Sequence, residues 1–292
     1  MGNGVHSREL AVSDGEFAFT WSDFRQIAEL VHSEVGIVLT ETKANLVYSR
    51  LAKRLRAIGL RNFREYCALI EGADGADERQ IMIAAMTTNV TRFFREPHHF
   101  EYLKKRVFPE MLEAARHGAK LRIWSAGTSS GEEAYSIALT ALEVMPEASE
   151  LDLLILATDI DPEMLRRGNA GVYASRLLGN IPIELKRRWF RPLARREDPD
   201  FEAVPELRSM VRFKELNLLR DWPMTGRFDI VFCRNVMIYF DEATQNEIWG
   251  RFAHVLRPGG ILCIGHSERI ATANHPFDLV GQTIYRRRGA KS

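Results

Sequence analysis

The sequence predicts an α/β protein in which a small all-helical N-terminal domain precedes a doubly wound parallel sheet with a small inserted β subdomain. Three observations lead to that prediction. Apolar residues recur at helical spacing through the N-terminal third, which contains no convincing strand. After about residue 117, short apolar runs alternate with helical segments, which is typical of a parallel sheet. Residues 172–212 interrupt this alternation and therefore indicate an insertion.

The N-terminal domain is predicted to span residues 19–117, after a disordered tail over residues 1–18. Its clearest helix carries apolar residues three and four positions apart and ends before Gly59, a common C-terminal signal. The last helix of the domain links it to the sheet. Further helical segments are predicted at residues 62–71, 77–87 and 96–116.

The second domain is predicted to span residues 118–292. Its insertion, at about 172–212, is rich in Arg and Pro and includes a short apolar piece at Met210–Phe213. The predicted strands are Leu121–Ala126, Leu153–Thr158, Phe228–Cys233 and Ile261–Gly265, and the predicted helices are Gly131–Val144, Pro162–Asn169 and Glu242–Leu256.

The composition is that of an ordinary globular protein. Of the 292 residues, 46% are hydrophobic and 27% are charged, and the formal net charge is +1. This balance does not favour nucleic acid or an anionic membrane as partner. Apolar runs stay below the roughly 18 residues of a spanning helix, no secretory signal is recognisable, and the three cysteines lack metal-ligand spacing. We therefore expect a cytoplasmic protein without a metal, a nucleic-acid partner or membrane insertion.

A glycine loop, Gly127–Gly131, follows the first predicted strand. Glycines at this place allow a backbone to approach a ligand at the carboxyl end of the sheet. The loop has neither the G-x-G-x-x-G pattern nor the lysine of a phosphate-binding loop. Glu132 and Glu133 follow directly and would repel a pyrophosphate, but they favour a ligand with a positive centre, such as S-adenosylmethionine. The alternative is an ordinary turn whose glutamates favour the helix dipole.

Two acidic residues follow the second predicted strand. Asp159 ends that strand, where sheets of this kind hold ribose hydroxyls. Asp161 precedes Pro162, and this pair is a good helix start. We therefore assign Asp159 to the ligand and Asp161 to the helix cap.

Three segments together resemble signatures of the bacterial chemotaxis-receptor glutamate methyltransferases. Residues 87–100 are similar to N-x-T-x-F-F-R-x-x-x-x-F, residues 124–136 to S-x-G-E-E-x-Y-S, and residues 232–240 to C-R-N-V-x-I-Y-F. They occur in the family's order, and the similarity spans roughly residues 20–288. The family's usual Pro after the glutamate pair is Ala134 here.

The resemblance implies a helical domain joined to a class I methyltransferase (Rossmann-like) sheet with an inserted antiparallel subdomain. It also implies methyl transfer from S-adenosylmethionine to glutamate carboxylates in cytoplasmic helical segments of chemoreceptors, with S-adenosylhomocysteine and a methyl ester as products. Together with Gly127 of the glycine loop, the implied cofactor contacts are Asn89, Thr91, Arg95, Glu132, Asp159, Asn217, Leu218, Arg234 and Asn235.

The implied chemistry needs no strong general base. The reference pKa of glutamate is about 4.3, so the acceptor is ionised at neutral pH and can attack a sulfonium methyl directly. The enzyme has to align the reactants. Arg95, by its charge, and Tyr239, by its hydroxyl, are the predicted catalytic residues that orient the carboxylate. The alternatives are that Arg95 holds only the cofactor and that Tyr239 covers the adenine pocket.

Arg50, Lys53 and Arg54 are predicted to bind the receptor. The segment from Glu41 to Tyr66 contains seven basic and two acidic residues. Arg50 and Arg54, four positions apart, are expected to project together from the face opposite the apolar one. The resemblance favours docking beside a glutamate-rich helix through salt-sensitive charge pairing. A solvated surface is the alternative.

Three other functions are weighed against receptor methylation. A methyltransferase of the same fold could act on an amine, a nucleic acid or a small molecule, but Arg234–Met237 stands where amine-methylating relatives carry N-P-P-Y-type residues. A non-catalytic receptor-binding adaptor is disfavoured by the intact glycine loop, Asp159 and Arg95. A nicotinamide dehydrogenase is disfavoured by the missing glycine fingerprint.

Overall fold

The computed structural model describes residues 11–13, 15–195, 198–271 and 273–289. The chain divides into two compact units, one that ends at Thr88 and also includes Tyr239–Asp241, and one that comprises Asn89–Ile238 and the chain from Glu242 onward. Within the described ranges, every helix is too short or too polar to cross a membrane.

The first unit is a helical bundle with a short two-stranded ribbon. Thr20 caps its first helix, because its hydroxyl accepts the N–H of Asp23 while the Asp23 carboxylate accepts the N–H of Thr20. Gly36 ends that helix in the left-handed conformation. The elements are β1 (Ala11–Ser13), β2 (Phe19–Thr20), α1 (Trp21–Val35), α2 (Ala44–Ile58), α3 (Phe63–Glu71) and α4 (Ala76–Met86).

The prediction of a disordered tail over residues 1–18 is wrong for its second half. Strand β1 pairs antiparallel with β2, and Phe17 is buried, with its backbone N–H donating to the Tyr48 hydroxyl at 3.2 Å. The sequence gives little sign of this order, because most residues of the segment are polar. One buried aromatic residue, Phe17, is enough to fix so short a segment. The rest of the predicted tail, residues 1–10 and 14, lies outside the described residues.

The second unit contains the large sheet. Its first helical part runs from α5 (His98–Tyr102) through a wide turn at Leu103–Val107 into α6 (Phe108–Arg116). The other elements are β3 (Leu121–Ala126), α7 (Glu132–Val144), β4 (Leu153–Asp159), α8 (Pro162–Ala170), β5 (Val172–Ala174), α9 (Ile183–Trp189), β6 (Phe190–Pro192), β7 (Asp200–Ala203), α10 (Pro205–Ser209), β8 (Val211–Glu215), β9 (Phe228–Cys233), α11 (Glu242–Val255), β10 (Leu256–Ile264), β11 (Phe277–Gly281) and β12 (Ile284–Arg287).

The predicted fold class is confirmed. Seven strands form one sheet in the order β11-β12-β10-β9-β3-β4-β8, in which β10, β9, β3, β4 and β8 are mutually parallel and β12 is antiparallel to both neighbours. Strands β5, β7 and β6 form a separate antiparallel sheet, which is the inserted subdomain. The carboxyl ends of the parallel strands meet at one edge, where ligands of such sheets bind.

The predicted insertion extends too far along the chain. Strand β8, at Val211–Glu215, pairs in parallel with β4 and is the edge strand of the large sheet. Its Arg212, Lys214 and Glu215 are exposed, so the apolar run is short. Polar residues of this kind are usual on edge strands and mask the sequence signal.

The division between the units lies earlier than the predicted boundary at residue 117. The helices α5 and α6 belong to the second unit, because Phe100, Leu103, Phe108 and Leu112 are buried in the same core cluster as Ile123 of β3. The helical period alone did not show which of the two cores this apolar face joins.

Candidate functional site

The glycine loop between β3 and α7 is folded tightly against the end of β4. The N–H groups of Gly127 and Thr128 both donate to the carbonyl of Thr158, at 2.8 and 2.9 Å. Gly127 has φ +74°, and a Cβ there would lie 2.4 Å from Cγ2 of Val236. Gly131 has φ +93° and would bring a Cβ within 2.9 Å of Phe213. Both positions therefore require glycine.

Ser129 ties the loop to two other segments. Its N–H donates to Oδ2 of Asp159 at 2.7 Å, and its hydroxyl donates to the carbonyl of Asn89 at 3.1 Å. The residue has φ +52°, an uncommon conformation for a side chain with Cβ. Strained residues persist only where the surrounding structure fixes them, and they concentrate at functional sites.

Asp159 lies at the carboxyl end of β4, as predicted, and is buried. Its Oδ1 accepts the N–H of Asp161 at 3.0 Å, while Oδ2 accepts the N–H of Ser129. Burial raises the pKa of this carboxyl, and backbone hydrogen bonds, chiefly those from Asp161 and Ser129, oppose the rise. A carboxylate has about four acceptor positions, so these two bonds leave room for hydroxyl donors of a ligand.

Asp161 caps α8, and this prediction is confirmed. Its Oδ1 accepts the N–H groups of Glu163 and Met164 at 2.9 and 3.3 Å. Its Oδ2 accepts a hydrogen bond of 2.8 Å from the Asn89 side chain. Asn89, one of the predicted cofactor contacts, thus uses its side-chain amide to hold the residue 89 region against the loops after β3 and β4.

The two glutamates after the glycine loop have different surroundings. Glu132 is buried, its Oε2 accepts the hydroxyl of Ser130 at 2.7 Å, and burial raises the pKa of its carboxyl. Glu133 accepts the Ser125 hydroxyl at 2.7 Å and the Arg234 guanidinium at 3.2 Å. Because Glu133 is already neutralised by an arginine, Glu132 is the carboxylate that can hold a positive centre of a ligand.

Arg95 lies in a turn of unusual backbone conformation. Both of its neighbours, Phe94 and Glu96, have positive φ, at +52° and +56°. The Arg95 side chain is half-buried and donates to the carbonyl of Val90 at 2.9 Å. Thr91, which precedes this turn, is also half-buried.

The structure changes the prediction for Arg234, because its side chain is only 2% exposed and points into the protein. It pairs with Glu133 and with Glu96, and it donates to the carbonyl of Arg95. Both terminal nitrogens of its guanidinium are therefore engaged in internal contacts. Asn235 follows with φ +59°.

Glu268 organises the turn after β9, and our sequence reasoning missed it. Its buried carboxylate accepts the N–H groups of Asn235, Val236 and Met237 at 3.1, 2.8 and 2.8 Å, and that of Gly265 at 2.5 Å. Burial raises the pKa of this carboxyl, and the four N–H groups act against the rise. The sequence signal that could have revealed it is an acidic residue three positions after Gly265, the glycine that ends the predicted strand.

Asn217 and Leu218 follow β8 at the same edge of the sheet. The N–H of Leu216 donates to the carbonyl of Asp159 at 3.0 Å, which fixes the start of this loop. Oδ1 of Asn217 accepts the N–H of Leu219 at 2.9 Å, and Leu218 is buried. The fold therefore gathers the predicted residues that follow β3, β4, β8 and β9 at one edge.

The prediction that Arg50 and Arg54 project from a free face is wrong. Arg50 donates to the carbonyls of Ala85 and Thr87, each at 2.9 Å, and to the Thr88 hydroxyl at 3.0 Å, and so closes the end of α4. Arg54 forms a bidentate pair with Glu78 of α4 at 2.7–2.9 Å. The side chains of both arginines are therefore bonded to α4 or to the residues that follow it within the first unit.

Lys53 and Tyr239 are the other predicted residues of the first unit. Lys53 is exposed on α2, with no ion-pair partner in the described part of the chain. The carbonyl of Tyr239 accepts the N–H of Val38 at 2.9 Å, and Nζ of Lys43 lies 5.9 Å from its ring. The roles assigned to these two residues stay predictions.

Comparison with known proteins covers nearly the whole chain. Residues 89–286 match a family model described as "CheR methyltransferase, SAM binding domain", and residues 22–87 match "CheR methyltransferase, all-alpha domain". The two matches meet at the point where the compact units divide.

Curated relatives are similar over most of both chains. A "Probable chemotaxis protein methyltransferase" of Rhizobium etli is 49% identical over 88% of this chain and 96% of its own. "Chemotaxis protein methyltransferase 2" of Pseudomonas aeruginosa is 43% identical over 92% and 94%. The "Chemotaxis protein methyltransferase" of Escherichia coli is 39% identical over 96% and 93%.

Proposed function

The chain belongs to the CheR methyltransferase family, and on that premise we propose that it methylates glutamate side-chain carboxylates of bacterial chemoreceptors with S-adenosylmethionine as donor. The observation that carries the proposal is the pair of buried carboxylates, Asp159 and Glu132, beside the glycine loop in the part that matches the SAM-binding model. The relatives' names indicate chemotaxis, and glutamate as acceptor is what the family resemblance of the three sequence segments implies.

The residues at the sheet edge suit the proposed cofactor chemically. The ribose hydroxyls, the ammonium and the sulfonium of S-adenosylmethionine need hydrogen-bond acceptors or negative charge. Asp159 would take the ribose hydroxyls, and Glu132 would face a positive group. The Thr128 hydroxyl is buried without a hydrogen-bond partner among the described residues, so it is a further polar group that a ligand could satisfy.

The chemistry proposed here requires positioning more than acid–base catalysis. When bound, S-adenosylmethionine supplies a methyl group on a positively charged sulfur, which an ionised carboxylate accepts without a general base. His99 is fully buried, and burial lowers its pKa to about 3, so it is neutral at working pH. Arg95 by its charge and Tyr239 by its hydroxyl remain our candidates for orienting the acceptor.

We propose cytoplasmic, glutamate-rich helices of receptors as partners. Lys53 supports this proposal, since it is exposed and unpaired within the described ranges. Arg50 and Arg54 are bonded to α4 and the residues after it, so Lys53 is the residue of the three on which we base the proposed contact.

Labelled methyl transfer to receptor cytoplasmic fragments tests the proposed function. We expect label to appear on peptides that contain the acceptor glutamates and to disappear when those glutamates are replaced by alanine. Label that persists after this replacement, or that maps to lysine, would contradict the proposal.

A further inference from the structure

We propose that Arg234 is a positioning residue that acts through Arg95: its buried guanidinium holds the strained turn around Arg95 against the first turn of α7. The inference rests on the proposed function, because Arg95 is the residue expected to meet the cofactor and the acceptor. It differs from the sequence prediction, in which Arg234 contacts the cofactor itself.

The geometry of the guanidinium carries the first step. One terminal nitrogen of Arg234 donates to the carbonyl of Arg95 and lies 3.5 Å from Oε2 of Glu96. The other donates to Oε2 of Glu133 at 3.2 Å. The guanidinium carbon also lies 5.8 Å from the ring centre of Phe100. A single side chain thus joins the end of β9, the residue 94–96 turn and the start of α7.

The charges make this contact hard to replace. The side chains of Glu96 and Glu133 are each 11% exposed, and Arg234 is the cation between them. Burial raises the pKa of Glu133 and the charge of Arg234 opposes it. Removing the arginine would leave two nearly buried carboxylates without their shared counterion, which is strongly unfavourable.

Backbone strain makes the position of Arg95 depend on this contact. Phe94 and Glu96 flank Arg95 and both adopt positive φ, a conformation that is strained for residues with a Cβ. The Phe94 N–H donates to the Ser136 hydroxyl at 2.9 Å, and the Arg95 carbonyl accepts from Arg234. If the bond from Arg234 to the Arg95 carbonyl is weakened, Arg95, which lies between the two strained residues, is no longer held in place.

A metal ion is the alternative source of positive charge next to Glu96. Glu96, His98 and His99 bring oxygen and nitrogen atoms within 4.8 Å of one another. Oε2 of Glu96, however, already lies 3.5 Å from the Arg234 guanidinium, and its Oε1 lies 2.9 Å from Nδ1 of His266. The internal arginine therefore supplies the positive charge that a metal would otherwise bring.

A double-mutant cycle tests whether Arg234 acts through Arg95. The variants are Arg234→Lys, Arg95→Ala and the double variant, each measured for S-adenosylmethionine Kd by calorimetry and for kcat on receptor fragments. Arg234→Lys keeps the charge but loses the forked geometry. We expect it to lower kcat by about tenfold or more in the native background and by less than about twofold in the Arg95→Ala background.

One control and one replacement variant make the cycle decisive. Arg257→Lys changes another arginine–carboxylate pair of the same sheet, with Asp229 at 2.7 Å, and should leave Kd and kcat unchanged. If Arg234→Lys does not fold, Glu96→Gln, which removes one partner of the guanidinium, takes its place in the cycle. Equal fold-losses in both Arg95 backgrounds would overturn the inference. Absence of receptor methylation by the native protein would overturn the proposed function. In that case, a non-additive effect of the two substitutions on the Kd for S-adenosylmethionine would still support the link between Arg234 and Arg95.

Discussion

The backbone N–H of Ser129 donates a hydrogen bond of 2.7 Å to Oδ2 of Asp159, so the glycine loop and the end of β4 form one hydrogen-bonded unit. The carboxylate expected to bind ribose also holds the loop that approaches the ligand. Loop shape and ligand affinity should therefore change together.

Asp159→Asn should weaken S-adenosylmethionine binding. The change removes a buried charged acceptor, a loss of about 1–3 kcal/mol that calorimetry can measure directly. Asp152→Asn is the matched control, because Asp152 precedes the same strand and pairs with Arg122 away from the carboxyl edge. Unchanged affinity in Asp159→Asn, or an equal loss in the control, would contradict the assignment.

Tyr239→Phe should lower turnover and leave cofactor affinity intact. The substitution removes only the hydroxyl proposed to orient the acceptor carboxylate, so kcat should fall by about tenfold or more while the Kd for S-adenosylmethionine stays constant. Tyr102→Phe, whose hydroxyl lies 3.4 Å from Arg286, is the control. Parallel losses in kcat and cofactor affinity would place Tyr239 in the wall of the cofactor pocket instead.

Lys53→Glu should raise the KM for receptor fragments without affecting S-adenosylmethionine binding. Lys53 is exposed, so reversing its charge weakens attraction to an acidic helix, and the effect should shrink as salt is added. Arg166→Glu makes the same charge change on α8 in the other unit. If the KM neither rises in Lys53→Glu nor depends on salt, the exposed face of α2 is a solvated surface that does not bind the receptor.

Buried His99 should make the protein lose stability in acid. Burial lowers its pKa to about 3 from the ordinary 6.5, so the unfolded chain binds a proton that the folded protein does not. This contribution is complete above pH 6.5 and is lost as the pH falls toward 3. Relative to His99→Gln, the native protein should lose about 1.4 kcal/mol of unfolding free energy per pH unit below pH 6.

Denaturation in urea across this pH range measures that difference. His117→Gln, at an exposed position, is the control and should follow the native profile. If the His99→Gln profile also runs parallel to the native one, the imidazole of His99 is not held neutral by burial.

Much of the fold could be predicted because the central strands are buried on both faces. Leu121–Ala126 and Phe228–Cys233 are short, mostly apolar segments in the sequence and strands with the same bounds in the structure. Such segments are typical of buried parallel strands, and their alternation with helical segments made the assignment possible. Strand β8 has only part of its length buried, and β11 and β12 have exposed residues at several positions, so the sequence signal was too weak there.

The site was harder to predict because its hydrogen bonds join distant segments. The cap role of Asp161 is local and could be predicted from Pro162, which follows it. The partner of Arg54 is Glu78 on another helix, and Glu268 binds the turn at Asn235, 33 residues earlier. Helix packing decides whether an arginine side chain is free or already bonded within the protein. Residue spacing in the sequence does not contain that information.

The most direct test of the account is the chemistry of the product. Receptor fragments labelled from methyl-tritiated S-adenosylmethionine should release all protein-bound label as volatile methanol after mild alkali, because carboxyl methyl esters hydrolyse under those conditions. Label that stays on the protein after alkali would show methylation of nitrogen or another stable acceptor and would contradict glutamate esterification.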